Sequence, residues 1–215
     1  MSPRPRTVQD DAILDAAIEV LSRIGLAKMT LADVGNEVGL SAATLVQRFG
    51  SKRELMLALL RHGMGDLDAR FEAAIASHDS PLDALFAAAA GRPGPLAGRI
   101  PFAHRMAFYL SALDDPEFRE VAVENGRRAI AGFKRLLDAA IEAGELSIGY
   151  TDTAQLAETI YAMMMGSLIT WAVTSEGGFQ AKMRRDLDIL LRPFRRGPRK
   201  AASPPSAQAM AVAGT

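Results

Sequence analysis

Between Asp10 and Ile24 apolar residues return every third or fourth position, at Ile13, Ala16, Ala17, Val20, Leu21 and Ile24, the period of a helix with one buried face. Gly25 follows, and glycine is the residue that most readily takes the left-handed turn at a helix end. Thr30 and Asp33 stand three apart before the next apolar positions, so the threonine oxygen can cap a short second helix and the carboxylate lies at its positive end. That helix runs to Val38, and Gly39 then permits a tight corner. Ser41 can cap a third helix with Leu40, Leu45 and Phe49 facing inward. After Gly50, Ser51 and Glu54 have the spacing of a second capping box and open a long helix over 51–76, with Leu55, Leu59 and Leu60 on its buried side.

The same period predicts further helices over 81–90, 101–113, 117–143, 152–174 and 180–191. Proline, glycine and polar clusters punctuate them at 91–98, 114–116, 144–151 and 176–178. No segment alternates as a strand does, so the expected fold class is all-α with about nine helices. Pro3 and Pro5 break any regular start, and Arg4 and Arg6 place positive charge there, so residues 1–9 read either as an arm that touches DNA or as a solvated tail. Beyond Pro193 the chain becomes basic at Arg195, Arg196, Arg199 and Lys200, then rich in Ala, Ser and Pro, a composition that cannot bury enough apolar surface to order. The expected organisation is an arm and helix-turn-helix domain over 1–50, a larger helical domain over 51–194 and a disordered tail over 195–215.

Composition narrows the chemistry. Lys+Arg and Asp+Glu both total 25 in 215 residues, so no global positive field holds the chain on nucleic acid and any DNA contact must be local. The absence of cysteine excludes disulfides, thiolate metal sites and cysteine nucleophiles. His62, His78 and His104 lack metal-ligand spacing, and neither a metal nor another cofactor is expected. The N-terminus lacks the apolar core of a secretory signal and no window is expected to span a membrane, which together predict a cytoplasmic protein.

Taken together, the stretch ILDAAIEVLSRIGLAKMTLADVGNEVGLSAATLVQRFGSKRELMLALL, residues 13–60, resembles the DNA-binding domain of the TetR (tetracycline repressor) family. The resemblance lies in the distance from the first helix to Gly25, the Thr30 cap, the corner at Gly39 and Leu40, Thr44 and Leu45 in the third helix, and Phe49-Gly50-Ser51-Lys52 leading into the fourth. It implies a DNA-binding regulator whose third helix enters the major groove of double-stranded DNA. The implied readers are Ser41, Ala42, Ala43, Thr44, Val46, Gln47 and Arg48: Gln47 suits adenine, Arg48 guanine or phosphate, and the small methyls thymine. Thr30 and Lys52 match positions that hold the sugar-phosphate backbone. Val46 stands where a phosphate-contacting tyrosine is usual, Ala42 where a polar or basic residue is common, and Gly35 where alanine is usual. The glycine costs about 1 kcal/mol of helix propensity unless close packing requires it.

The last two long helices are apolar nearly all round, from Ala154 and Leu156 to Trp171 and from Met183 to Leu191, so each must bury two sides. One side packs within the subunit and the other on a second copy, as the resemblance also implies, giving a twofold homodimer and a palindromic operator. Candidate contacts for a small apolar or amphipathic effector are Phe102, His104, Arg105, Met106, Phe108, Tyr109, Phe133, Tyr161, Met164, Met165 and Trp171, each of which could equally be core. His104 beside Arg105 could pair with an anion or make surface contacts. Two other readings stand against a repressor. One is a helical interaction protein with a decayed DNA-binding head; the other is an enzyme using the C-terminal pocket, for which no nucleophile–base or phosphate-loop signature exists.

Overall fold

The computed structural model describes residues 8–91, 99–149, 152–174 and 177–195. Among them nine α-helices form, with no strand beyond a single bridge between Leu146 and Arg195. The helices are α1 (Asp10–Ile24), α2 (Leu31–Val38), α3 (Ala42–Phe49), α4 (Lys52–Ala76), α5 (Pro81–Ala90), α6 (Arg99–Ser111), α7 (Pro116–Glu142), α8 (Thr153–Thr174) and α9 (Phe179–Leu191). The all-α expectation is met, and most boundaries fall within a residue of those the apolar period and the caps predict.

Two expectations change. α6 begins two residues before Pro101, because the first-turn amides of a helix have no intrahelical acceptor and proline is tolerated there; its far end tightens into a 3-10 turn over Ala112–Asp114. At α4, Ser51 accepts from the Glu54 amide at 3.1 Å, but the Glu54 carboxylate does not close the box. It pairs with Arg53 at 2.8 Å instead.

Two buried clusters organise the molecule. The first gathers Ile13, Ala17, Val20 and Leu21 of α1, Val34 of α2, Leu45 of α3 and Leu55 to Leu60 of α4, and continues into Phe108, Phe118 and Val121. The second joins Phe71 and Ala74 of α4 to α5, to Phe133, Leu136 and Leu137 of α7, and to Ile160, Met183 and Leu187 of the last two helices. α4 therefore takes part in both clusters.

Close approach explains two glycines. A Cβ at Gly35 would strike the carbonyl oxygen of Leu40 across the corner, where Leu40 already donates its amide to the Gly35 carbonyl at 2.8 Å, so the packing that justifies glycine inside α2 is present. Gly132 on α7 lies under the ring of Phe71, which meets Phe133 edge-on at 5.1 Å.

α8 corrects the membrane expectation. Thr153–Thr174 is long and apolar enough by composition to cross a bilayer, because the helix is apolar on the face buried in the subunit and also on its outer face, where Ile169 and Val173 are exposed.

The fit at Gly132 yields a test of the packing. A methyl there would lie 2.5 Å from the Phe71 ring. Gly132→Ala should gain about 1 kcal/mol of helix propensity yet lose more from overpacking, for a net destabilisation of about 1–2 kcal/mol in urea unfolding. Unchanged or higher stability would show that Phe71 is free to move aside.

Candidate DNA-reading head and the cavity behind it

The head is built by capping. Thr30 Oγ1 accepts from the Asp33 amide at 3.2 Å and donates to Asp33 Oδ2 at 2.6 Å, while that oxygen also accepts from the Thr30 amide at 2.8 Å. The reciprocal box pins the start of α2. Gly39 turns the chain with φ of 70°, and Ser41 Oγ accepts from the Thr44 amide at 3.1 Å to start α3. An ion pair of 2.8 Å between Arg23 and Glu37 fastens α2 to α1.

These caps leave α3 displayed. Leu45 is its anchor, wholly buried, while Ala43, Val46, Gln47 and Arg48 are exposed and Ala42 and Thr44 are half-covered. Thr30 and Ser41 are exposed beside their caps. Arg48 folds back, donating to the Val8 carbonyl and lying 3.2 Å from Asp10, so its guanidinium braces the root of the N-terminal arm. Lys52 is half-buried and donates to the Leu26 carbonyl at 2.7 Å, tying the loop after α1 to the first turn of α4. Arg4 and Arg6 lie outside the described residues.

Just after the head, the first turn of α4 is clasped to the start of α7. Arg53 grips Asp115 with donors at 2.8 and 2.9 Å, reaches Glu117 at 3.1 Å and lies 5.2 Å over the ring of Phe118. The Arg53 bonds hold the Asp115 carboxyl below the usual carboxylate range. Nearby, His62 of α4 sits 3.2 Å from Asp15 of α1.

Behind the head is a cavity of about 790 Å³ where the two clusters meet. Of the expected ligand contacts, Arg105, Met106, Phe108, Tyr109, Tyr161, Met164 and Met165 line it. His104 does not: its ring nitrogen meets the Ser22 carbonyl at 2.9 Å and the ring covers Gly25, making it a joint between α6 and α1. Phe133 is wholly buried against Phe71. Trp171 gives its indole N–H to the Gly177 carbonyl at 3.1 Å and stands edge-on to Phe179, which does line the cavity. The side chain of Phe102 lies outside the described residues.

Several wall residues escaped the sequence reading: Ile18 and Leu21 of α1, Arg70 of α4, Asn125 of α7 and Phe179. Two left a signal. Arg70 continues the stripe of Leu60 and Leu67, and Asn125 that of Val121 and Ala129, so each is a polar residue at an apolar position. The Asn125 amide donates to the Leu60 carbonyl at 3.4 Å, and its Oδ1 is buried with no protein partner. Tyr161 and Tyr109 bring their hydroxyls to 3.5 Å. Burial, aided by that contact, pushes the Tyr161 phenol well above its ordinary value, so it stays protonated. No group of three or more His, Asp or Glu suited to a metal occurs among the described residues.

A capped helix-turn-helix carried on a helical body with a cavity behind it defines the class of helix-turn-helix regulators. Comparison with known proteins agrees: residues 13–59 match the family described as bacterial regulatory proteins, tetR family. BetI, an HTH-type transcriptional regulator of Brucella anthropi, is 33% identical over 75 residues, which span 35% of this chain and 39% of that protein. BetI of Agrobacterium fabrum is 27% identical over 171 residues, 76% of this chain and 77% of that protein. A Saccharomonospora viridis regulator solved with choline superposes with a TM-score of 0.73 at 19% identity, covering 87% of this chain and 98% of that one. FadR of Bacillus subtilis, solved with stearoyl-CoA, gives 0.62 at 18% identity over 85% and 98%. The family match covers the helix-turn-helix segment, residues 13–59, and the likeness to the solved structures over the rest of the chain is one of fold.

The Thr30–Asp33 box carries a pH signature. Hydrogen bonds from Thr30 hold the Asp33 carboxyl below its ordinary value, so the box stabilises the fold above the unfolded-state pKa, and that contribution is lost as pH falls through the lower folded-state value. Thr30→Ala should therefore remove about 1 kcal/mol at neutral pH and flatten the acid side of the stability profile. Chemical unfolding at stepped pH is the measurement; a variant as acid-sensitive as the parent contradicts this assignment.

Proposed function

We propose that the chain is a ligand-responsive DNA-binding regulator, a repressor released from a palindromic operator by a small apolar or amphipathic effector. Residues 1–50 serve as the reading head, 51–194 as the regulatory body and 195–215 as a tail. One observation carries the reading: Ile18 and Leu21, on the helix that supports the head, form part of the cavity wall. An occupant therefore touches the head directly, and a difference in its affinity between head positions would shift their equilibrium. Solved relatives of the fold hold choline in one case and stearoyl-CoA in another, so the architecture accommodates ligands of unlike chemistry and the local wall selects among them.

On the DNA, Gln47 is the exposed side chain suited to bidentate contact with adenine, while the methyls of Ala42, Ala43, Thr44 and Val46 suit thymine. Thr30 and Ser41 offer hydroxyls to the backbone, and Lys52 retains N–H donors beyond the one held by Leu26, enough for a phosphate. Arg48 braces Val8 and Asp10 at the start of α1, and Arg4 and Arg6 supply further positive charge for the DNA.

The second copy docks on α8 and α9. Ile169, Val173 and Ile189 are 48%, 74% and 57% exposed, an outlay of apolar surface on adjacent helices that pairing would cover. A homodimer with two reading helices would call for a palindromic site.

Selection from random duplexes at low salt should enrich an inverted repeat, and Gln47→Ala should lose preference at one position in each half-site at a cost of about 1–3 kcal/mol. Failure to enrich any sequence would instead favour a helical interaction protein whose head no longer reads DNA.

A further inference from the structure

Two tyrosines on the cavity wall are short of an acceptor. Tyr109 of α6 and Tyr161 of α8 both line the cavity, and their hydroxyl oxygens stand 3.5 Å apart. A well-formed O–H···O bond spans about 2.5–3.0 Å, so the two are held near each other rather than joined. Each phenol carries one proton, and a bond between them uses only one of the two. Among the described residues neither oxygen has another partner. At least one O–H donor is therefore left over in a part-buried place, where an unmade bond is costly. Space lies beside it: Gly126 of α7 has no side chain, and a Cβ there would stand 3.6 Å from the Tyr161 hydroxyl. The other polar wall groups are already occupied in part. Asn125 turns its amide N–H to the Leu60 carbonyl and its Oδ1 is buried, while Arg70 and Arg105 have interactions of their own within the protein.

We infer, on the reading of the cavity as the effector site, that its ligand is an uncharged apolar molecule bearing a carbonyl group, whose oxygen accepts from the Tyr109 and Tyr161 hydroxyls together while its hydrocarbon part lies against Leu67, Met164 and Leu168. A carbonyl oxygen has two lone pairs and so takes both protons, and it adds no donor that the wall would have to satisfy. A carboxylate is the poorer match, because the burial that keeps Tyr161 protonated also disfavours a negative charge brought beside it. The volume of about 790 Å³ lies within the range of cavities that enclose drug-sized ligands, and methionine packs against hydrocarbon without demanding one shape. A ligand oxygen shared by the two phenols ties α6 to α8, and α6 is the helix whose His104 holds the Ser22 carbonyl of α1.

Three probes share a phenyl ring and a short chain: butyrophenone, butylbenzene, which has a methylene in place of the carbonyl, and 4-phenylbutanoate. Equilibrium dialysis of the full chain should show saturable binding of butyrophenone, about tenfold or more tighter than that of the carboxylate. Tyr109→Phe and Tyr161→Phe keep the rings and remove the hydroxyls; each should weaken butyrophenone about fivefold, the worth of one hydrogen bond, and leave butylbenzene unchanged. The infrared carbonyl band of bound butyrophenone should lie below its position in dry alkane and move back toward it in either variant. That band on the parent chain decides the matter even if both variants fail to fold. A band at the alkane position, equal weakening of both neutral probes, equal or tighter binding of the carboxylate, or saturable binding of none of the three overturns the assignment. The effector reading is judged separately, by operator gel shift: butyrophenone that binds through the phenols without releasing DNA leaves the carbonyl site standing and removes the effector role.

Discussion

One helix belongs to two cores, and the rest of the molecule is arranged around that constraint. The first turns of α4 place Leu55, Leu57 and Leu60 under the helix-turn-helix, and its later turns place Phe71 and Ala74 under α5 and α7. Its 25 residues make a strut of about 37 Å, too short to bend freely and buried at both ends. Apolar burial contributes roughly 25 cal/mol per Å², so neither end can leave its core without losing several kcal/mol. The head can move only as α4 and its immediate supports move. Gly63, on the cavity wall, is a place in that strut with no side chain to pack.

The supports sit around the cavity. The Arg53–Asp115 ion pair and the contact of His62 with Asp15 are individually weak, but they tie α4 to α7 and to α1 at the level of the head. His104 joins α6 to α1 through the Ser22 carbonyl. The cavity thus lies between elements that each contact the head, and a ligand that spreads or draws together α4 and α6 has a short mechanical route to α3. Closed packing makes such a route discrete rather than elastic, because cores accept few alternative arrangements.

Local features were the legible ones. Thr30, Gly39, Ser41 and Gly50 mark the head because caps and left-handed turns are decided by residues within one turn of each other. The apolar period likewise placed α1 and α8 to within a residue, since burial on one face is written in spacing. What escaped needed partners distant in the chain. Nothing near Arg48 announces that it will reach Val8, 40 residues earlier, and nothing near His104 announces Ser22, 82 residues away. The candidate effector residues were chosen by type, so those on the cavity side of their helices line it, whereas Phe133 and Trp171 fell on other faces of α7 and α8. Gly35 was read as a departure in propensity, and only the approach of the Leu40 carbonyl shows why it is there.

The absence of native cysteine makes the coupling directly measurable. A single spin label at exposed Asn36, introduced as Asn36→Cys, reports the separation of the two heads in a dimer by dipolar spectroscopy, and Ala129→Leu, on the cavity wall, fills the space without any ligand. The account predicts one narrow head-to-head distance in the parent chain and a displaced one when the cavity is filled. An unmoved distribution, or no intersubunit distance at all, would contradict it.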